Sequence, residues 1–318
     1  MAQARDDREL QGKVIALLGG SGFLGGHVAQ ELLSRGARLR IVSRHPERAF
    51  ALKPLAGLGQ VQFLRADITR PQSLAAAFAG VDSVVNLVGA FAGDLDALQG
   101  KGLGAVAAAA RAAGASAFVH VSANGADAAS PADYARTKAE GEAAVHAAFP
   151  GATILRPSVV FGPDDKFVNM FASLIAMLPV LPVFGPQAKL QPVFIDDVAE
   201  AIGQALSDPQ AHGGKTYEIA GPEVITMLEL NQRIAAATGR RRLFIELPDA
   251  VSALIAALPG SPISRDQWAL LQAGNVASGA LPGLRDLGIT PRPLGLFLDR
   301  WAVRFRKHGR FGVAAKAG

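Results

Sequence analysis

The chain of 318 residues contains no cysteine. Disulfides, thiolate–metal sites and thiol nucleophiles are therefore excluded, and the absence fits a reducing, cytoplasmic setting. Only two tyrosines and two tryptophans are present, and charged residues make up 19% of the chain. With 50% hydrophobic residues, a charge content that low excludes a disordered protein. A membrane-spanning run is also missing. The nearest stretch, 167–188, carries no charge but is interrupted by Asn169, Pro179, Pro182 and Pro186, which a continuous membrane-length helix does not tolerate. It reads as a buried helix followed by an extended proline-rich loop, with a substrate- or lipid-facing flap as the alternative. The polar residues 1–11 lack the apolar core of a signal peptide.

Glycine, by contrast, is plentiful, at 35 residues, and its placement near the start is informative. The apolar run 14–18 leads into Gly19, and Gly19, Gly22 and Gly25 are spaced three apart. Gly20-Ser21-Gly22-Phe23-Leu24-Gly25 also satisfies G-x-G-x-x-G, and an amphipathic pattern of Val28, Leu32 and Leu33 follows. A glycine in such a turn takes positive φ. A second removes the Cβ that would block a pyrophosphate, and a third lets the helix pack closely on its strand. The helix N-terminus then offers free N–H groups to phosphates. A lone glycine pattern is weak; between a strand and a helix it predicts a dinucleotide site over Gly19, Ser21, Gly22, Phe23, Leu24 and Gly25.

Short apolar runs at 14–18, 39–42, 61–64, 84–88, 118–121 and 152–155 read as strands. Helical patterns near 24–35, 71–79, 94–113 and 134–148 alternate with them. This rhythm predicts an α/β fold, a doubly wound parallel sheet of Rossmann type. Gly36, Gly80 and Gly114 suit positions just past helix ends. After residue 157 the rhythm loosens into helices near 167–178, 196–207, 226–238, 248–257 and 264–272, with strands near 216–219 and 243–247. The expected organisation is a nucleotide-binding domain over 12–160, a smaller, mostly helical lobe over 161–293 interleaved with the sheet, and a basic aromatic tail over 294–318.

Strand two ends in Ser43-Arg44-His45 with no acidic residue for a ribose 2′-hydroxyl. A serine followed by arginine favours a 2′-phosphate, so NADP(H) is preferred over NAD(H). Asp67 and Ile68 follow strand three, where they suit adenine. Asn86, Leu87, Val88 and Gly89 end strand four, where backbone would line the cofactor. Strand five ends in His120-Val-Ser-Ala-Asn124, and Tyr134-Ala-Arg-Thr-Lys138 follows twelve positions after Ser122. Tyr134 and Lys138, four apart, share one helix face. An ammonium near a phenol, with the Ser122 hydroxyl, makes an acid/base relay for hydride transfer. His120 reads as a satisfied strand histidine, and no metal site is expected.

These residues together resemble the short-chain dehydrogenase/reductases of the extended or atypical kind. The match runs through Gly19-Gly22-Gly25, Asp67, Asn86–Gly89, Tyr134 and Lys138. It continues in Leu155-Arg-Pro-Ser-Val-Val-Phe-Gly-Pro163, which includes Pro157 and Val159 and resembles the segment beside the nicotinamide, and in Gln191-Pro-Val-Phe-Ile-Asp-Asp-Val-Ala199. More narrowly, the segments 120–127, 130–142 and 154–163 resemble the subgroup of the nucleotide-binding accessory subunit of respiratory complex I and its bacterial relatives, some of them linked to ubiquinone biosynthesis. That resemblance implies an NADPH held structurally, outside the electron path. Active members of the family often carry Ser-Ser or Ser-Thr after strand five with the second residue catalytic; here that place is Ala123.

Net charge is +5, and much of the excess lies in Arg240-Arg241-Arg242 and in Arg300, Arg304, Arg306, Lys307, Arg310 and Lys316. The tail interleaves these cations with Leu296, Phe297, Leu298, Trp301, Val303 and Phe305, a composition suited to an interfacial or docking helix. No nucleic-acid module accompanies the charge. The leading reading is an NADPH-binding, complex I accessory-type or quinone-system protein, held at a membrane surface or respiratory complex by this tail, on the cytoplasmic face of the inner membrane. The alternatives are a working NADP-dependent reductase of a small or lipid-like carbonyl and an NADPH-sensing regulator without chemistry.

Overall fold

The computed structural model describes residues 9–307 and 309. The chain groups into two compact units. The first comprises Met1–Pro157, Ile195–Ile219 and Ser278–Thr290; the second comprises Ser158–Phe194, Ala220–Ala277 and Pro291–Gly318.

The first unit is built on β1 (Val14–Leu18), β2 (Arg38–Ser43), β3 (Val61–Arg65), β4 (Ser83–Asn86), β5 (Ala117–Val121) and β6 (Thr153–Pro157). With the strand Thr216–Ile219 they form a seven-stranded sheet in the order Thr216–Ile219, β6, β5, β4, β1, β2, β3. Every pairing in it is parallel. Parallel strands covered on both faces need unbroken apolar runs, which β1 supplies: Ile15, Ala16, Leu17 and Leu18 are all buried. The connecting helices are α1 (Phe23–Ser34), α2 (Leu74–Phe78), α3 (Leu95–Gln99), α4 (Leu103–Ala112) and α5 (Asp133–Ala148). One sheet face, through Leu18, Val84, Phe118 and Ile154, packs on Phe78, Val106 and Val145. The strands Val160–Phe161 and Lys189–Leu190 and their partners belong to the other unit, so the sheet order reverses only at β1, where β2 lies on one side and β4 on the other. That reversal puts a crevice at the carboxyl ends of the strands.

Gly36, Gly80 and Gly114 follow their helices with φ of +85°, +66° and +82°, as C′ glycines do. Two expectations for the sheet unit are corrected. The strand expected over 84–88 stops at Asn86, whose Oδ1 accepts the Val88 N–H at 3.2 Å and turns the chain out of the sheet. The helix expected over 94–113 is two helices, α3 and α4. Gly100 (φ −97°, ψ −136°) ends the first, and the Lys101 N–H turns onto Asp96 Oδ1 at 2.9 Å. Pro46–Leu55 forms an unforeseen 3₁₀ helix.

The second unit is assembled from two-stranded pairs and helices. Val160–Phe161 pairs with Val193–Phe194, Lys189–Leu190 with Ile225–Thr226, and Val180–Val183 with Leu243–Glu246. Its helices include Phe167–Met177, Met227–Ala237, Asp249–Ala256, Arg265–Ala273 and Gly295–Trp301. The segment 167–188 is a helix, Phe167–Met177, with only Val168, Ala172 and Ile175 buried, followed by an extended stretch in which Val180–Val183 is a strand while Pro179 and Pro186 lie in bend and turn. Pro182 fits because the two-stranded pair leaves it an edge, where a missing N–H costs no ladder bond. In the tail, Phe297 stacks on Phe194 at 3.8 Å and Trp301 lies 5.9 Å from Phe161, ring centre to ring centre. Arg310 and Lys316 lie outside the described residues. No described helix is long and apolar enough to cross a membrane.

Candidate nucleotide site

Register places the ends of five strands level. Leu18 pairs with Val42 and with Asn86, Asn86 with His120, and Val121 with Leu155. The glycine turn, the end of β2, the end of β4 and Ser122 thus all lie along the carboxyl edge of the sheet.

Gly19 sits at φ +79°, and its N–H donates to the Val42 carbonyl at 3.1 Å. A Cβ at Gly25 would lie 2.6 Å from Gly20 Cα and 2.7 Å from the Gly19 carbonyl oxygen. The first turn of α1 therefore rests directly on the backbone of the glycine turn, an approach that any side chain at 25 prevents. Gly22 is the N-cap of α1 and provides no capping side chain, so its end N–H groups are left for another acceptor. Ser21, Phe23 and Leu24 flank that end, half-buried. Phe23 meets His27 edge-on at 6.0 Å, and His27 Nδ1 lies 2.5 Å from Asp196 Oδ1 on the helix Ile195–Ser207. The cradle, open at a helix N-terminus and closed to any Cβ at its base, fits a pyrophosphate.

Beyond β2, Arg44, His45, Arg65, Asp67 and Arg70 line a cleft of about 370 Å³. Ser43 Oγ accepts the His45 N–H at 3.2 Å. Asp67 Oδ1 accepts from the Thr69 N–H at 3.0 Å and hydroxyl at 2.8 Å. Burial raises its carboxyl, but the Thr69 hydrogen bonds and the charges of Arg44 and Arg70 outweigh this and hold it below its ordinary value. Ile68 is buried beside it.

The end of β4 is fixed by buried polar groups. Asn86 Nδ2 donates to His120 Nδ1 at 3.1 Å, which leaves the imidazole proton on Nε2. That nitrogen has no partner among the described residues. Burial, then the nearby Lys138 charge, pushes His120 down to about 3 against the Asn86 hydrogen bond, so the ring is neutral. Leu87 continues the chain with its N–H on the Leu18 carbonyl at 3.0 Å, and Leu87 and Val88 border Gly19 at 3.4 Å from a Cβ there. Gly89 leaves room for Lys138, whose Nζ would lie 3.0 Å from a Cβ at 89.

Lys138 Nζ donates to the Val121 carbonyl at 3.3 Å and lies 5.9 Å from the Tyr134 ring centre. Burial brings this ammonium down to about 8, with Glu142 opposing. Burial pushes the Tyr134 phenol up to about 12. The exposed Phe91 stacks on that phenol ring at 4.4 Å and 12°. Ser122 is 4% exposed; its N–H donates to Leu155 at 2.8 Å and its Oγ has no partner among the described residues. Pro157 closes β6, and its carbonyl accepts the Asn124 N–H at 2.8 Å. Val159 belongs to the second unit, where its N–H donates to Asn275 Oδ1 at 2.6 Å.

Sequence reasoning missed Gln99. It is fully buried; its Oε1 accepts the Ala90 N–H at 2.9 Å and its Nε2 donates to Thr137 Oγ1 at 3.1 Å. The loop after β4 is thereby tied to α5 one residue before Lys138. The signal was Gly141, a glycine inside a helical pattern: a Cβ there would strike the Gln99 carbonyl. Among the described residues no group of histidines and carboxylates is placed to hold a metal.

The sequence pattern of the NAD dependent epimerase/dehydratase family matches residues 15–220. The chain belongs to this family and carries its NAD(P)-binding short-chain dehydrogenase/reductase fold. Among its relatives, the NADH dehydrogenase [ubiquinone] 1 alpha subcomplex subunit 9, mitochondrial, of Rattus norvegicus is 34% identical over 90% of this chain and 79% of its own. The ceramide reductase of Caulobacter vibrioides is 30% identical over 74% of each chain. In fold, the chain resembles the NADPH-dependent quinone oxidoreductase QOR2 of Escherichia coli, solved with NADPH: the TM-score is 0.71 at 22% identity, covering 89% of this chain and 98% of that one.

Proposed function

We propose that this protein holds NADPH as a resident nucleotide and works as a complex I accessory-type or quinone-system protein at a membrane surface. The observation that carries the reading is the state of Tyr134. Its phenol is pushed up to about 12 and its ring is covered by Phe91, while Ser122 Oγ is buried and Ala123 fills the neighbouring place. A reductase tyrosine works with a lowered pKa; here burial moves the phenol the other way.

Gly19, Ser21, Gly22, Phe23, Leu24 and Gly25 would hold the pyrophosphate, Asp67 and Ile68 the adenine, and Asn86–Gly89 the nicotinamide half, with Lys138 on the ribose. Pro157 and Val159 would flank the nicotinamide. Ser43 and Arg44, with Arg65 and Arg70 on the same cleft, support a 2′-phosphate and hence NADP(H) over NAD(H). When bound, the nicotinamide supplies a hydride. The relative that is a complex I subunit supports a respiratory partner, reached from the cytoplasmic face of the inner membrane through the basic tail.

The second reading is a working NADP-dependent reductase, favoured by Lys138 lying one helical turn from Tyr134. Denaturing freshly purified protein, identifying the released nucleotide, and offering quinones and carbonyls to the bound form separates the two. NADPH that stays bound and unoxidised is the expected result. Oxidation by a carbonyl that disappears in Tyr134→Phe establishes the reductase instead, and protein that neither carries nor takes up a nucleotide refutes both.

A further inference from the structure

The second unit carries an apolar plateau on its surface. The strands Val180–Val183 and Leu243–Glu246 run parallel, with Val180 opposite Leu243 and Pro182 opposite Ile245. All four of these side chains are exposed, whereas Leu181 and Val183 on the alternate face are buried. A sheet face normally buries its apolar side; here both faces are apolar and one is open. Further along the chain, in the helix Asp249–Ala256, Val251 and Leu254 share a face, and Leu258 follows just past the helix end. That stripe also faces outward: Leu254 is 67% and Leu258 57% exposed. Met177 and Leu178, at the end of the helix that leads into Val180, are exposed as well. Monomer surfaces rarely leave aliphatic side chains so concentrated unless something covers them.

One edge of the plateau is basic, and two distant parts of the chain build it. Arg240 donates to the Phe305 carbonyl through Nη2 at 3.1 Å, and Arg306 Nε donates to the Ala237 carbonyl at 3.0 Å. The tail cations are thus pinned beside Arg240-Arg241-Arg242, immediately before Leu243. Arg242 Nε donates to the Ile175 carbonyl at 2.7 Å, which places it at the end of the helix that gives Met177. Arg241 and Lys307 are exposed. The acids nearest in sequence, Glu246 and Asp249, follow Ile245 at the strand's opposite end.

We infer that this plateau lies in the interface of an anionic phospholipid membrane, with the arginine edge at the headgroups and Leu254, Leu258, Leu243 and Ile245 among the acyl chains. Segregated aliphatic and cationic surface is what a protein lying on a bilayer presents. The inference rests on the membrane part of the proposed function and moves the contact from the tail helix, whose half-buried Phe297 and Trp301 rest on Phe194 and Phe161 of the same unit, to the plateau.

The test is co-sedimentation of the full chain with vesicles of phosphatidylcholine alone and of phosphatidylcholine mixed with phosphatidylglycerol, at low and high salt. The expected result is salt-sensitive binding to the mixed vesicles only. Binding should weaken at least roughly tenfold in the double variant Leu254→Glu, Leu258→Glu and in Arg241→Glu, and be unchanged by truncation after Lys307. All of the variants sit on exposed positions, and their melting curves and retained nucleotide verify the fold. Binding lost on truncation but kept in the double variant overturns the plateau and leaves the tail as the membrane contact. A chain that binds neither vesicle overturns the membrane reading itself. A dimer that the double variant disperses, without vesicle binding, shows a face for a second copy and also overturns the inference.

Discussion

The sheet unit and the second unit depart from ordinary globular chemistry in opposite ways. The first buries polar groups where its strands end: Asn86, Gln99, His120, Ser122 and Lys138 are all nearly inaccessible. The second leaves aliphatic groups outside: Met177, Leu243, Leu254 and Leu258 are each more than half exposed. Both arrangements cost stability in isolation, the one through desolvation, the other through unburied apolar area. Each becomes reasonable once a partner is supplied, a nucleotide for the first and a lipid surface for the second. The comparison is useful because it makes different demands on mutation. In the sheet unit, small changes should be felt strongly and with a pH signature. On the plateau, large changes should leave the fold untouched.

The largest contrast is expected within one helix. Gly25→Ala puts a Cβ 2.6 Å from Gly20 Cα, and backbone cannot yield as a side chain does. Overpacking of this kind costs roughly 1–3 kcal/mol, and displacement of the turn should remove nucleotide retention altogether. At Gly26 a Cβ meets nothing within 4 Å, so Gly26→Ala should stabilise by about 0.5–1 kcal/mol through helix propensity. Thermal melting and released nucleotide measured on both variants check the pair. Equal effects at 25 and 26 would mean that α1 does not rest on the turn.

Lys138→Met should reveal the cost of the buried ammonium. Burial lowers the folded pKa from 10.5 to about 8, a shift worth on the order of 3 kcal/mol. Below about pH 8 the lysine is charged in both folded and unfolded chains, and the full penalty is present. Between about 8 and 10.5 the folded chain holds fewer protons than the unfolded one, so stability rises with pH and the penalty disappears. Losing the bond to the Val121 carbonyl takes back about 1 kcal/mol. The nucleotide-free variant is therefore expected to exceed the wild type by about 2 kcal/mol at pH 7, with the gap closing above pH 8. Denaturant unfolding across that range reads it directly.

Much of the sheet unit was legible in the sequence because its signals are local. β1, α1 and the three C′ glycines follow from apolar runs and from positive φ. What stayed hidden depends on pairs far apart in sequence. Nothing near Gln99 announces that its amide spans Ala90 and Thr137, and nothing near Arg240 announces Phe305. The tail's aromatic, basic pattern suits an interfacial or a docking helix alike, because it looks the same whether its rings face lipid or Phe161 and Phe194. The break between α3 and α4 was missed because their alanine-rich pattern continues through it. Gln99→Leu tests the hidden pair. It keeps volume but leaves the Ala90 N–H and the Thr137 hydroxyl without this partner, so a loss of roughly 1–3 kcal/mol is expected.

The smallest expected effect is the most discriminating between the two units. Leu254→Ser removes an apolar side chain that is already 67% exposed. A buried leucine truncated this way would cost several kcal/mol; here the change should lie within about 0.5 kcal/mol of the wild type. A loss of 2 kcal/mol or more in the free protein would mean that the plateau is already covered in solution. The comparison between a unit completed by nucleotide and a unit completed by a surface would then fail at its second half. A neutral result says instead that selection for folding does not keep Leu254 apolar, so the reason for that leucine has to lie outside the folded chain.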